Sequence, residues 1–408
     1  MDTSRRNFLA GITGAGVAGT VPLLTQLENP ESQTPTFRQG TADYKGPNVI
    51  IIRFGGGCRR RETIEPDTTY APYLLNTLAP RGVLFKNMMI DSLQPTQGVD
   101  TSHGQGTIYI LSGSYRKLGN AGGDGLAERF VPSAPTLFEY FRSTFNISAH
   151  ETLVINSEDR KQEEFLTYSN HLRYGIDYRC QILSLYRYKR FLYPRLLSQG
   201  TRDGQQLSPQ QRDQITKELR ELESIDTRLP TSKNEQLQGF WERWQAHYGE
   251  TGFKNPRGDR LLTELALRSM QDGQIQPRMM IVNYTDCDYV HWGIPSHYTT
   301  AVAIMDQGLK QIVDAADTLP FYKDNTLFVV VPDCGRDNNP FVDVPFQHHF
   351  NSRSSHEIFC LAFGKGVENH GTVVNDVVDQ VQIAGAIGSL AGFETHDAET
   401  DHLANYLA

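Results

Sequence analysis

A chain of 408 residues can bury a sizeable core, either as one large domain or as a few small ones. Its 38% hydrophobic and 21% charged residues are ordinary for a globular protein. The formal net charge of -8 gives no basis for nucleic-acid binding, and beyond the first residues no apolar run has the length of a bilayer span, so no stable membrane anchor is expected.

In chain order the first signal is Ser4-Arg5-Arg6-Asn7-Phe8-Leu9, followed by a weakly apolar stretch rich in Gly and Ala over 10–24. This segment resembles a twin-arginine export signal. It implies a signal peptide over 1–27, a translocase partner during export, and a periplasmic or extracellular destination. Residues 28–44 are rich in Pro, Gln, Thr and Ser and read as a linker. The 5 cysteines, Cys58, Cys180, Cys287, Cys334 and Cys360, are odd in number and form no CxxC pair. A disulfide framework is not expected, although a single bridge is compatible with an oxidising compartment.

The run NVIIIRF at 48–54 is continuously apolar, of strand length, and stopped by Gly55-Gly56-Gly57. That pattern predicts a strand buried on both faces of a parallel sheet. A short helix is expected over 73–79, a strand over 83–89, a helix over 104–111, a second over 135–145 with Pro135 at its start, and a strand over 152–155. Residues 158–270 change character, being rich in Arg, Gln, Glu and Tyr, and read as a helical insertion with helices near 208, 240–244 and 261–270. The core then resumes with strands at 279–284, 326–331 and 358–363 and helices at 298–319 and 377–391. Strands alternating with helices predict an α/β fold with a doubly wound, mostly parallel sheet over 45–408, interrupted by that insertion. Ligands of such sheets sit at the carboxyl ends of strands, which directs attention to Gly55, Asp286, Asp288 and Asp333.

Three segments carry chemistry. In Asp286-Cys287-Asp288-Tyr289-Val290-His291, two carboxylates and an imidazole follow a strand directly, a combination suited to Zn²⁺ or a similar ion. Asp333-Cys334-Gly335 places a carboxylate and a thiol at the next strand end. His356 lies just before the strand at 358–363, with His348-His349 nearby in sequence. Gly55 to Gly57 followed by Arg59-Arg60-Arg61 could bind an anion, although a surface loop with an Arg run explains it better. Tyr186-Arg187-Tyr188-Lys189-Arg190 reads as a solvated helix face.

Taken in order, these segments resemble the alkaline phosphatase superfamily, with its sulfatases and phosphodiesterases. The resemblance rests on Asn48 to Ile52 as first strand, on Tyr73 to Ala79 running into Gly82-Val83-Leu84-Phe85-Lys86-Asn87, and on Ile110-Leu111-Ser112-Gly113-Ser114-Tyr115 closing the nucleophile helix. It rests further on Asp288 to His291 with the helix after it, on Asp324-Asn325-Thr326 through Gly335-Arg336, and on the closing stretch 377–393. The resemblance implies one metal site built from Asp288 or Asp286, His291 and His356. It also implies a second, depleted site. Gly55 stands where the first strand of the family ends in a metal-binding Asp, and Cys334 replaces the His after Asp333. Asp288 stands three residues before His291 and Asp286 five, neither at the usual spacing. The nucleophile position falls on His103, with Thr101 and Ser102 adjacent. His103 could act as a ligand or as the attacking group.

Two functions fit. One is an exported metal-dependent hydrolase of phosphate or sulfate esters, acting on an anionic small molecule or glycan ester. There Ser102 or Thr101 would attack, Asp333 and Cys334 would assist around the metal, and one zinc-like ion would suffice. The other is an inactive member of the same fold that binds a ligand or a partner. Gly55 favours the second and the surviving His and Asp residues the first.

Overall fold

The computed structural model describes residues 40–92, 99–118, 130–157, 160–202, 204–225, 235–248, 258–292, 294–338, 347–399 and 403–408. Residues 1–39, which include the segment expected to be a twin-arginine signal, lie outside them. Among the described residues no helix is long and apolar enough to cross a membrane.

The strands of the main sheet are β1 (Asn48–Phe54), β2 (Gly82–Met89), β3 (Thr152–Asn156), β4 (Gln181–Ser184), β5 (Met279–Asn283), β6 (Thr326–Pro332), β7 (Glu357–Gly364), β8 (Thr372–Val374) and β9 (Val378–Asp379). Their order is β8-β2-β7-β6-β1-β5-β3-β4, with β9 also on β2. β7 runs antiparallel to both its neighbours, and the other pairings are parallel. The architecture is therefore α/β, mixed and mostly parallel, as the alternation of apolar runs and helical patterns predicts. The long helices are α1 (His103–Ser112), α2 (Leu137–Thr144), α3 (Leu185–Gln199), α4 (Pro209–Ile225), α5 (Glu235–Tyr248), α6 (Asp259–Gln271), α7 (Pro295–Thr318) and α8 (Gln382–Ala391).

β1 shows why its sequence carries no alternation. Ile50, Ile52 and Phe54 point into a core shared with Leu262 and Leu265 of α6 and Leu309 and Ile312 of α7. Val49 and Ile51 point into the opposite core, with Ile108 and Leu111 of α1, Leu137 and Phe141 of α2 and Ile383 and Ile387 of α8. A central strand covered on both faces has no polar side to show.

Local chemistry adjusts two expected helices. Residues 73–79 form a π-turn, Leu74–Leu78, followed by a 3₁₀ turn, Ala79–Arg81, with the Asp306 carboxylate accepting from the Tyr73 and Leu74 amides at 2.9 and 2.8 Å. The stretch 377–391 is divided: Val378 and Asp379 pair with β2, and Asp379 then accepts from the Val381 amide at 3.2 Å as α8 begins. Within 158–270, β4 joins the sheet edge beside β3, and α3 to α6 follow it. Residues at the end of the expected linker are packed, with the Tyr44 ring 4.6 Å from that of Phe141.

Candidate metal centre at the strand ends

β1, β5 and β6 are parallel neighbours in register, Arg53 opposite Asn283 and Phe54 opposite Pro332. Their carboxyl ends therefore open at one level, and three connections begin there: Gly55 to Cys58, the 3₁₀ turn Asp286–Trp292, and the segment from Asp333. The amino end of α1 meets them. Ser102 is the N-cap of α1, accepting from the Gln105 amide, so the first helical residue, His103, is delivered to the strand ends.

Four side chains converge. Asp288 Oδ1 lies 2.7 Å from His103 Nε2, 2.9 Å from His291 Nε2 and 3.5 Å from His348 Nε2. The Nε2 atoms of His291 and His348 are 3.0 Å apart. One ligand atom from each of His103, Asp288, His291 and His348 can be chosen so that all lie within 4.8 Å of one another.

The far sides of the rings are fixed by different partners. His348 Nδ1 donates to the Thr101 carbonyl at 3.0 Å, so its Nε2 is the bare nitrogen. Burial, and then the charge of His103, lower its pKa to about 3, which keeps it neutral. His103 Nδ1 donates to Asp333 Oδ2 at 2.7 Å. Burial opposes a charge on His103, but Asp288 and Asp333 at its two nitrogens outweigh burial and raise its pKa well above the ordinary imidazole value. Although burial disfavours the carboxylate forms, the same contacts hold Asp288 and Asp333 far below the usual carboxylate range. His291 Nδ1 is buried without a hydrogen-bond partner among the described residues. His349 stacks on His291, with ring centroids 5.3 Å apart.

This donor set fits a divalent ion. Tetrahedral zinc ligands about 2.0–2.1 Å from the metal stand about 3.3 Å from one another, close to the separations seen here. Carboxylate–imidazole and carbonyl–imidazole bonds on the outer nitrogens are the usual supports of metal-bound histidine. Three imidazoles and one carboxylate suit zinc among the common ions.

Asp333 stands behind the cluster. It is fully buried and accepts from the amides of Gly56 at 3.1 Å, Gly57 at 3.2 Å and Cys334 at 2.8 Å, besides His103. Arg53 lies 3.5 Å from it, donates to the Tyr284 carbonyl at 2.8 Å and also binds the Thr107 hydroxyl. A side chain at position 55 has no room: its Cβ would stand 1.9 Å from the Tyr284 carbonyl oxygen and 2.4 Å from the Arg53 guanidinium. Cys334 can approach His103 and Asp333, but burial and then the Asp333 charge push its thiol up to about 12.

The other expected site residues are placed elsewhere. The Thr101 hydroxyl donates to the His348 carbonyl and lies 3.0 Å from the Ser355 hydroxyl. Ser102 caps α1 beside His103, its Oγ accepting from the Gln105 amide at 3.4 Å. Asp286 accepts from the Asp259 amide at 3.0 Å and donates its own amide back to Asp259 at 3.1 Å, a reciprocal pairing that braces the turn. His356 is outside the cluster: Nδ1 donates to the Ile90 carbonyl at 2.9 Å, and Nε2 faces Asn351 Oδ1. The structure thus brings together Asp288, His291, His103 and Asp333, and adds His348, which sequence reasoning left unassigned. The signal for it was the His348-His349 pair itself. Arg59, Arg60 and Arg61 bind Glu62, Asn87, Glu357 and neighbouring groups. It is Arg53, within β1, that brings positive charge beside Asp333.

No protein-family profile matches the chain, and no curated protein does. Solved structures do. A protein from Bacteroides thetaiotaomicron VPI-5482, assigned as a sulfatase, superposes with a TM-score of 0.52 at 12% identity over 89% of this chain and 75% of that one. The fold is that of an alkaline-phosphatase-like sulfatase. The lipoteichoic acid synthase LtaP from Listeria monocytogenes aligns at 12% identity over 88% of this chain and 76% of its own, with a TM-score of 0.46. An alkaline phosphatase superfamily protein from Vibrio parahaemolyticus aligns at 12% identity over 90% and 72%, with a TM-score of 0.38.

Proposed function

We propose that this chain is an exported, metal-dependent hydrolase of phosphate or sulfate esters. The observation that carries the reading is the convergence of three imidazole Nε2 atoms and Asp288 Oδ1 at the strand ends, where ligands of such sheets bind. The cluster also faces solvent: the Asp288 side chain is 41% exposed, although three buried or half-buried imidazoles surround it. Bound there, a divalent ion of the zinc type would supply Lewis-acid polarisation of an ester oxygen or of water. The chain supplies the rest. Asp333 holds the proton at His103 Nδ1 and so fixes the ring. Thr101 does the same for His348 through its carbonyl. The Thr101 hydroxyl donates to the His348 carbonyl, which leaves water or the Ser102 hydroxyl as the attacking group, and the substrate we propose is an anionic small-molecule or glycan ester. Delivery by the twin-arginine translocase would place the enzyme in the periplasm or outside the cell.

The test combines elemental analysis of protein recovered from the exported fraction with assays on nitrophenyl phosphate, bis-nitrophenyl phosphate and nitrophenyl sulfate. About one transition-metal ion per chain and metal-restored turnover of one substrate are expected. Protein without metal would overturn the proposal.

A second reading, a non-catalytic relative that binds a ligand or partner, is favoured by the four protein donors, since four suffice to close a tetrahedral shell. Full metal occupancy with no turnover of any of the esters would favour it.

A further inference from the structure

Two cysteines that take no part in the cluster lie together beneath it. Cys58 ends the loop that begins at Gly55, and Cys287 sits between Asp286 and Asp288. Both are fully buried, and their sulfur atoms are 3.5 Å apart although 229 positions separate them in sequence. All cysteines in the structure are free thiols.

The two loops are already fixed against each other. Gly56, at φ 91°, lets the chains approach so closely that a Cβ there would lie 2.8 Å from Cys287 Cβ and 2.4 Å from the Asp288 amide nitrogen. Arg336 clamps both loops, donating to the carbonyls of Gly57 at 2.8 Å, Gly56 at 2.6 Å and Cys287 at 2.5 Å. The Cys58 amide donates to the Cys334 carbonyl at 2.8 Å. With the two loops held together, the sulfurs have about 1.5 Å to close from 3.5 Å to the covalent distance of about 2.05 Å. Reactive groups so held react as if at very high concentration.

We propose that Cys58 and Cys287 are a disulfide-forming pair that covalently joins the two strand-end loops bracing the cluster. The oxidant is an external disulfide. One thiolate attacks it, forming a mixed disulfide and releasing one thiol; the second attacks the bound sulfur and releases the other. The cysteines lose two electrons and two protons, and the external disulfide becomes two thiols. The bridge would tie Cys287, next to the ligand Asp288, to the loop whose Gly56 and Gly57 amides hold Asp333. The inference does not depend on the hydrolase reading.

The full chain is incubated with oxidised glutathione in its native state, and separately refolded in the same oxidant. It is then quenched in acid, denatured and alkylated with N-ethylmaleimide. Mass spectrometry should count two fewer adducts than in the reduced protein, and digestion should yield one peptide joining Cys58 to Cys287. Cys58→Ser and Cys287→Ser should each abolish that fall; Cys58→Ala and Cys287→Ala replace either variant that does not fold. A full adduct count after both treatments, or a bridge to another cysteine, would overturn the proposal.

Discussion

Asp333→Asn tests the support of the centre without removing a cluster donor. Oδ1 of Asp333 accepts from Gly57 and Cys334, and an amide oxygen can keep those bonds. Oδ2 accepts from Gly56 at 3.1 Å and His103 Nδ1 at 2.7 Å, with Arg53 at 3.5 Å. Replacing that oxygen by an NH₂ group sets a donor against three donors. His103 relieves one clash by changing tautomer, which places its proton on Nε2, the atom aimed at the cluster. Loss of an outer-nitrogen partner typically costs tenfold to a hundredfold in metal affinity, about 1.4–2.7 kcal/mol. Arg53 also loses its nearby negative charge, and breaking a buried pair costs about 3–5 kcal/mol of folding stability. The two losses are separable. Competition with a chromophoric chelator reads zinc affinity on protein shown to be folded, and the absorption of a cobalt-loaded sample reports the ligand field. Unchanged zinc affinity together with an unchanged cobalt spectrum would refute the role given to Asp333.

Other outcomes follow from the same geometry. His291→Ala and His348→Ala should each reduce metal content of purified protein to a small fraction, whereas His356→Ala should leave it unchanged because that ring is bound to Ile90 and Asn351; equal losses in all three would remove the distinction. Metal binding should weaken as pH falls: the raised pKa of His103 makes it charged in the metal-free protein at neutral pH, and its proton must leave before Nε2 can ligate. Titration calorimetry in buffers of different ionisation heat should therefore show about one proton released per ion, and heats independent of buffer would contradict this. Gly55→Ala should lower the melting temperature sharply, since its Cβ would stand 1.9 Å from a main-chain oxygen and overpacking typically costs about 1–3 kcal/mol or more; a wild-type melting curve would count against the packing described. Replacing Arg5 and Arg6 together by Lys should strand the precursor in the cytoplasm, and normal recovery from the exported fraction would end the export proposal.

The sheet was legible because its strands are short apolar runs between turn residues, and burial on two faces leaves that mark in sequence whatever lies between the strands. β4 was not legible: Gln181–Ser184 is four residues long, half polar, and lies at the sheet edge in a stretch whose composition points to helices. Within the site, Asp288 and His291 could be read because both belong to one turn directly after a strand. His348 and His356 could not be told apart, since each precedes β7 at a distance that a loop can absorb. The choice between them is made by Thr101, whose carbonyl binds one ring, and by Ile90, whose carbonyl binds the other. Arg53 escaped notice because a cation inside a buried strand looks like an exception to an apolar run; only the fold shows Asp333 beside it.

Those residues also set the charge balance of the centre. Asp333 is fully buried and Asp288 partly so, and burying negative charge without compensation is costly. Arg53 provides one permanent positive charge. His103, as an imidazolium donating to both carboxylates, provides the second. A divalent ion held by His103, Asp288, His291 and His348 would displace only the proton of His103 and leave Arg53 in place. The alternative trio of His103, Asp333 and Cys334 is less well placed. His103 is shared with the first group, and a cation on Asp333 would face the Arg53 guanidinium across a few ångströms of protein interior. Filling that trio would also take from His103 the carboxylate that aims it. Gly55 removes the remaining option, because the space a further carboxylate would need is filled by Arg53 and the Tyr284 carbonyl. One ion in place of the His103 proton would leave these groups a single positive charge in excess, and a second ion would add two more beside the guanidinium inside β1.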